Sequence, residues 1–148
     1  MRVVIADDSA LLRAGIARVL TMYGSEVVEQ VTDGDGLLAA YERHQPDVLV
    51  VDVRMPPTYT DEGIQAVLRL RAHYPDAPVL VLSQYVEERY AVDLLGSGAA
   101  GLGYLLKDRV ADISDFIRQL ETVAAGGTVL DPEIVEQLRA RGLVASGR

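Results

Sequence analysis

A carboxylate follows directly on an apolar run near the middle of the chain. Residues 48–51 are Val, Leu, Val and Val, a pattern typical of a strand that is buried on both faces of a parallel sheet. Asp52 comes next, at the end of this predicted strand. A charged side chain at such a place costs desolvation free energy unless it has polar partners or a chemical task. Asp52 is therefore the leading candidate for a functional residue.

Three other predicted strands also end in polar residues. Asp7 and Asp8 follow the first strand, Ser83 follows the fourth and Lys107 follows the fifth. In an open parallel sheet, ligands bind beyond the carboxyl ends of the strands, so we expect these side chains to share one edge. Three carboxylates there repel one another unless they share a cation, and oxygen ligands of this kind suit Mg²⁺. The sequence therefore predicts a Mg²⁺ site formed by Asp7, Asp8 and Asp52.

Each of these residues also has a simpler interpretation when it is taken alone. Asp7 and Asp8 could cap the following helix, although Ser9 is also available as its N-cap. Ser83 could be a loop hydroxyl, and Lys107 a solvated lysine. The combination of polar residues at four strand ends favours the shared site.

The elements that position these residues alternate between strands and helices. Apolar runs predict strands at 2–6, 26–31, 48–51, 79–82 and 104–106, and a helical period follows each of them. The connections between parallel strands are right-handed crossovers, so this alternation predicts an α/β fold with helices on both faces of the sheet. We predict a doubly wound, five-stranded, flavodoxin-like parallel sheet in the order 2-1-3-4-5.

A further helix is predicted at residues 131–141, because Pro132 suits a first turn and Ile134 and Leu138 share a face with Val135. The segment 142–148, GLVASGR, has the small and polar composition of a linker. We therefore predict one domain at residues 1–125, followed by a linker helix and tail at 126–148.

The composition excludes several classes of protein. A chain of 148 residues has room for about one domain. Its net charge of -8 argues against direct binding to a nucleic acid backbone, and the lack of cysteine excludes disulfides and thiolate chemistry. The N-terminal residues MRVVIADDS show no signal-peptide pattern, and no apolar run reaches membrane-spanning length. We expect a cytoplasmic protein with no membrane partner.

The arrangement resembles the CheY-like receiver domain of two-component response regulators over residues 1–125. The segments DVRMPPTYTDEG, LSQYVEERYA and GYLLKDRVADISDF are similar to those of the NarL/FixJ subfamily. The resemblance implies that Asp52 accepts a phosphoryl group from a partner sensor histidine kinase, and that the chain is not an enzyme. It also implies that four groups hold Mg²⁺: the carboxylates of Asp7, Asp8 and Asp52, and the backbone carbonyl of Arg54.

The resemblance further implies how the phosphoryl group is held and how it acts. Lys107 would pair with one phosphoryl oxygen and Ser83 would donate a hydrogen bond to another. Movement of Ser83 would open space for the aromatic ring of Tyr104, and so repack the face formed by the fourth helix, fifth strand and fifth helix. We expect a homodimer to form through such a change when the chain is phosphorylated.

The chain departs from the family pattern in three places. The loop at 56–63 is longer than usual, and Asp108 follows Lys107 where most receivers have proline. The LuxR-type DNA-binding domain that usually follows is absent, so we expect that DNA is contacted only through such a domain and that the chain is truncated. The alternatives are an unphosphorylated pseudo-receiver, a single-domain signalling module, a flavodoxin-like nucleotide binder and a Mg²⁺-dependent phosphatase of the haloacid-dehalogenase type.

Overall fold

The computed structural model of the chain describes residues 1–142 and contains one parallel sheet with helices on both faces. The sheet has six strands in the order β2-β1-β3-β4-β5-β6, and every neighbouring pair is parallel. The strands are β1 (Arg2–Ala6), β2 (Glu26–Val31), β3 (Val48–Asp52), β4 (Val79–Ser83), β5 (Leu102–Leu106) and β6 (Thr128–Leu130).

Six α-helices connect and follow these strands. They are α1 (Ala10–Met22), α2 (Gly34–His44), α3 (Glu62–His73), α4 (Glu88–Gly96), α5 (Ile113–Ala124) and α6 (Pro132–Ala140). A short 3₁₀ helix, Lys107–Ala111, joins β5 to α5. The beginnings of α1 and α2 have local causes, because the side chains of Ser9 and Asp33 accept hydrogen bonds from the amides of Leu12 and Gly36. Among residues 1–142, no helix combines the length and apolar character needed to cross a bilayer.

The sixth strand corrects the prediction of a five-stranded sheet. β6 lies beside β5, with Val129 opposite Gly103 and Leu130 opposite Tyr104. A strand of three residues is too short to show a period of two, so the sequence pattern did not reveal it. The α/β class, the parallel sheet and the order of the first five strands are confirmed.

The core consists of one apolar layer on each face of the sheet. Alternate residues of β1, β3 and β4 point to opposite faces, as a strand period of two requires. α2, α3, α4 and α6 cover one face, and α1 and α5 cover the other. All five residues of β3 and of β4 are buried, which agrees with the prediction that these apolar runs are central strands.

The C-terminal segment packs on the same core. Ile134 and Leu138 of α6 are no more than 1% exposed, and they belong to the apolar layer that also contains residues of α4. The proposed domain boundary after residue 125 stays a prediction. Residues 143–148 of the predicted tail lie outside the described part of the chain.

Gly63 makes the close approach between the start of α3 and the end of β3 possible. Its amide donates to the carbonyl of Val53 at 2.8 Å, and a Cβ built on Gly63 would collide with the backbone oxygen of Asp52. A side chain at this position would therefore displace the strand end that carries Asp52.

We predict that Gly63→Ala destabilises the protein by about 1–3 kcal/mol, because the added methyl group overpacks a rigid backbone contact. The matched control is Gly15→Ala in α1, where an added Cβ meets nothing within 4 Å. Since alanine favours a helix interior, the control should stabilise the protein by about 0.5–1 kcal/mol. Urea denaturation of both variants measures the difference, and equal effects of the two substitutions would contradict the packing at Gly63.

Candidate functional site

A lysine and an aspartate form an ion pair at the carboxyl end of the sheet. Asp52 is the last residue of β3 and Lys107 is the first residue of the 3₁₀ helix after β5. Lys107 Nζ lies 3.0 Å from Asp52 Oδ1. The side chain of Asp52 is 5% exposed and that of Lys107 is 29% exposed, so the carboxylate is buried while the lysine keeps some contact with solvent.

The three predicted carboxylates lie together beside this pair. Asp7, Asp8 and Asp52 each offer one carboxylate oxygen, and these oxygens lie within 4.8 Å of one another. Asp7 and Asp52 are buried, whereas Asp8 is exposed. The side chain of Ser9 accepts from the amide of Leu12 and caps α1, so the helix does not depend on Asp7 or Asp8 for its cap. The cap of α1 is therefore explained without these two carboxylates, and the shared site stays a prediction.

Asp7 is held in place by its own local hydrogen bonds. Its Oδ1 accepts from the amide of Ser9 at 2.8 Å, and its backbone carbonyl accepts from Arg13 Nη1 at 2.6 Å. The sequence does not predict this role of Arg13. The helical pattern of α1 shows which residues face the core, but it does not show that one arginine side chain contacts the end of the preceding strand. These contacts anchor the turn between β1 and α1.

Two of the three carboxylates at the site have raised pKa values. Burial raises the pKa of Asp7 to about 6, and the negative charges of Asp52 and Asp8 act in the same direction, while the Ser9 amide and Lys107 oppose them. Burial also raises the pKa of Asp52, against the effects of Lys107 and the Arg54 amide. One ammonium thus faces three carboxylates, and a small, hard cation would be a favourable partner for these oxygen ligands.

Ser83 and Tyr104 both contact the loop between β4 and α4. Ser83 is 5% exposed, and its Oγ donates to the carbonyl of Tyr85. Tyr104 is fully buried, its hydroxyl accepts from the amide of Glu87 at 2.9 Å, and burial raises its pKa. From the resemblance we expect the Tyr104 ring to move into the protein after phosphorylation, but in this structure the ring is already buried. The switching role of Ser83 and Tyr104 stays a prediction.

The long loop after β3 is organised by one glutamate. Glu62 accepts from the amides of Thr58 and Thr60 at 2.6 and 3.0 Å, and also from the Thr58 hydroxyl. The hydrogen bond from the Thr58 hydroxyl, together with these amides, lowers the pKa of Glu62 to about 2. Arg54 lies at the start of the loop and is exposed, and the predicted role of its carbonyl is not tested by these contacts.

A second ion pair, which no sequence pattern predicts, involves a residue two positions after Lys107. Arg109 Nε and Nη2 donate to the two carboxylate oxygens of Asp131 at 2.9 and 3.0 Å, and Asp131 is fully buried. The two residues are 22 positions apart. The only sequence signal was the place of Asp131 before Pro132, which indicates a helix start and says nothing of a partner in another element.

Comparison with known proteins agrees with this architecture. The sequence pattern of the response regulator receiver domain matches residues 3–120. The transcriptional regulatory protein DegU of Brevibacillus brevis is 37% identical over 139 residues, which are 93% of this chain and 56% of DegU. The chain thus spans little more than half the length of this relative.

Two solved structures extend the comparison. The signal receiver domain of the response regulator NarL from Mycobacterium tuberculosis is 33% identical, with a TM-score of 0.67 over 81% of this chain and 95% of that one. A LuxR-family response regulator from Aurantimonas sp. SI85-9A1 has a TM-score of 0.82 over 97% of this chain and 98% of that one. At 24% identity, the second structure supports the fold alone.

We predict that Asp7→Asn stabilises the metal-free protein at neutral pH. Because the folded protein holds a proton on Asp7 up to about pH 6 and the unfolded chain loses it near 3.8, wild-type stability should fall as the pH rises between these values. Asparagine carries no charge at either pH, so the variant should gain about 1–3 kcal/mol over the wild type at pH 7.

Urea denaturation in the presence of a chelator, at pH values below and above this window, measures the effect. Asp93→Asn on the exposed face of α4 is the control, and it should keep the pH dependence of the wild type. The same pH dependence in Asp7→Asn and in the wild type would show that Asp7 is not held in a desolvated, uncompensated state.

Proposed function

Since this chain belongs to the response regulator receiver family, in the NarL/FixJ subfamily, we propose that it accepts a phosphoryl group on Asp52 and thereby changes a protein interaction surface. The observation that carries the proposal is the contact of 3.0 Å between Lys107 Nζ and Asp52 Oδ1, beside two further carboxylates at the same edge of the sheet. The phosphodonor proposed here is a sensor histidine kinase.

We propose that the acidic cluster holds Mg²⁺. Three carboxylate oxygens lie within 4.8 Å of one another, and one ammonium lies beside them. A divalent cation with oxygen ligands would offset the remaining negative charge. The proposed ligands are Asp7, Asp8, Asp52 and the backbone carbonyl of Arg54. When bound, Mg²⁺ would offset the negative charge that gathers on the phosphoryl oxygens during transfer.

Asp52 is suited to act as the nucleophile of this transfer. Its side chain is buried at the end of β3, and its Oδ1 lies 3.0 Å from Lys107 Nζ. In the proposed step a carboxylate oxygen bonds to phosphorus as the nitrogen–phosphorus bond of the donor phosphohistidine breaks, and the imidazole leaves. Lys107 would neutralise part of the charge on the transferred group, which aids attack by a weak nucleophile.

The proposed switch begins at Ser83. Its hydroxyl now donates to the carbonyl of Tyr85, so donation to a phosphoryl oxygen would release that carbonyl. The released loop also contains Glu87, whose amide holds the hydroxyl of Tyr104. Phosphorylation would therefore act on the loop before α4 and on the ring of Tyr104 together.

A homodimer is the proposed result of this change, and DNA would be bound by a separate effector domain. β6 and α6 cover part of the surface beside β5 and α4. On the other face, Leu11 is 87% exposed and Ile113 is 37% exposed, at the sides of an apolar groove between α1 and the start of α5. Exposed apolar surface of this kind supports contact with a second protein surface.

We predict that the protein gains one phosphoryl group when it is incubated with acetyl phosphate and Mg²⁺, as measured by intact mass. Asp52→Asn should abolish the gain because it removes the nucleophile, and a chelator should prevent it. Asp93→Asn is the matched control, since it replaces an exposed aspartate on α4 and should leave the gain unchanged.

Other outcomes of the same experiment identify the alternatives. No gain of mass in the wild type would favour a receiver-like module that acts without phosphorylation. Release of phosphate over many turnovers, with no lasting modification, would favour a Mg²⁺-dependent phosphatase. A gain of mass that persists in Asp52→Asn would show that another residue is the acceptor.

A further inference from the structure

The carboxylate of Asp131 is a fully buried hydrogen-bond centre close to the phosphorylation site. It accepts from the amide of Leu106 at 2.9 Å, from Arg109 Nε at 2.9 Å, from Arg109 Nη2 at 3.0 Å and from the amide of Glu133 at 3.0 Å. Asp131 is 0% exposed. Both carboxylate oxygens are therefore occupied, and the last contact also caps the beginning of α6.

These hydrogen bonds hold the chain on both sides of Lys107. The amide of Leu106 lies one residue before Lys107, and the side chain of Arg109 lies two residues after it. The backbone leaves β5 and enters the 3₁₀ helix between these two points. The turn that directs the Lys107 ammonium to Asp52 is thus fixed at both ends by one carboxylate.

Asp131 also holds the strand that carries Tyr104. Its backbone amide donates to the carbonyl of Tyr104 at 2.7 Å, which continues the pairing of β6 with β5. Asp131 therefore contacts three places along residues 104–109, and two residues in this stretch, Tyr104 and Lys107, are those assigned to the proposed phosphorylation mechanism.

A buried charge of this kind cannot lose its partner without cost. Burial alone would raise the pKa of Asp131, but the hydrogen bonds from Arg109, Leu106 and Glu133 outweigh this effect and hold the pKa below its usual value. Asp131 is consequently ionised at neutral pH, and it needs the guanidinium of Arg109 as its counter-ion. The two-point geometry of the pair fixes the direction of the Arg109 side chain as well as its charge.

We propose that Asp131 is a positioning residue for phosphoryl transfer, which acts through Arg109 and the Leu106 amide to hold the turn that places Lys107 on Asp52. The proposal rests on the phosphoacceptor function of Asp52. Because α6 begins directly after Asp131 and packs beside α4, the same contacts join the C-terminal helix to the phosphorylation site. Any change that phosphorylation makes at Lys107 then acts on the start of α6, and the coupling is reciprocal.

The test compares two variants with a matched control. Asp131→Asn removes the charge of the carboxylate, and Arg109→Lys keeps the positive charge but removes the two-point contact. Arg139→Lys is the control, because Arg139 lies on α6 and pairs with Glu136 of the same helix at 3.2 Å. The experiment measures the rate of phosphorylation by acetyl phosphate. In this reaction an Asp52 oxygen bonds to phosphorus, the oxygen–phosphorus bond of the donor breaks and acetate leaves.

We expect both site variants to be phosphorylated at least about tenfold more slowly than the wild type, since displacement of a positioned group by about 1 Å can cost about a hundredfold in rate. Mg²⁺ affinity, measured by calorimetry, should stay close to that of the wild type, because Asp7, Asp8 and Asp52 are unchanged. The control should keep both values. Folded variants that are phosphorylated at the wild-type rate would overturn the proposal and leave Asp131 with a stabilising role only.

A structure of the Arg109→Lys variant gives a second answer that does not depend on phosphorylation. Loss of the contact between Lys107 Nζ and Asp52 Oδ1 would support the positioning role, and an unchanged contact would overturn it. If the wild type gains no phosphoryl group, the phosphoacceptor function itself fails. This second measurement then still decides whether Asp131 positions Lys107.

Discussion

Repulsion among carboxylates at one edge of the sheet is the constraint on which the functional part of this molecule depends. Asp7 and Asp52 are buried, Asp8 is their neighbour, and the nearby ammonium of Lys107 carries a single positive charge. Burial without full compensation raises the pKa values of Asp7 and Asp52. The fold therefore maintains a local excess of negative charge, and carboxylates perturbed in this way cluster at functional sites.

The parallel sheet is what makes this arrangement possible. All of its strands end at the same edge, so residues that are far apart in the sequence meet there without any long loop to position them. The close approach of Gly63 to the backbone of Asp52 places the start of α3 against the end of β3. Asp131, between β6 and α6, accepts hydrogen bonds from the Leu106 amide and Arg109 on either side of Lys107. The C-terminal segment therefore contacts the turn that carries Lys107.

Local patterns explain how far the sequence predicts this structure. β1 and β2 are predicted with the bounds that the structure has, because apolar runs and turn residues define their ends. Asp7, Asp8, Asp52 and Lys107 are predicted as one site because each follows a strand. β6 is too short to show a period, and the pairing of Arg109 with Asp131 joins elements whose proximity is visible only in three dimensions. The hydroxyl of the buried Tyr104 accepts a hydrogen bond from the backbone amide of Glu87, and a pattern of side chains does not predict a contact with a backbone amide.

We propose that the acidic side chains at the ends of β1 and β3 bind one divalent cation next to Lys107. Nuclear magnetic resonance with substoichiometric Mn²⁺, which broadens the signals of nearby nuclei, tests it most directly. If these side chains bind the ion, the amides at the ends of β1, β3, β4 and β5 should broaden first and together, and Asp7→Asn should weaken the effect, while Tyr23 at the far end of α1 keeps its signal. Broadening spread over exposed carboxylates across the surface, with no preference for the strand ends, would contradict the claim.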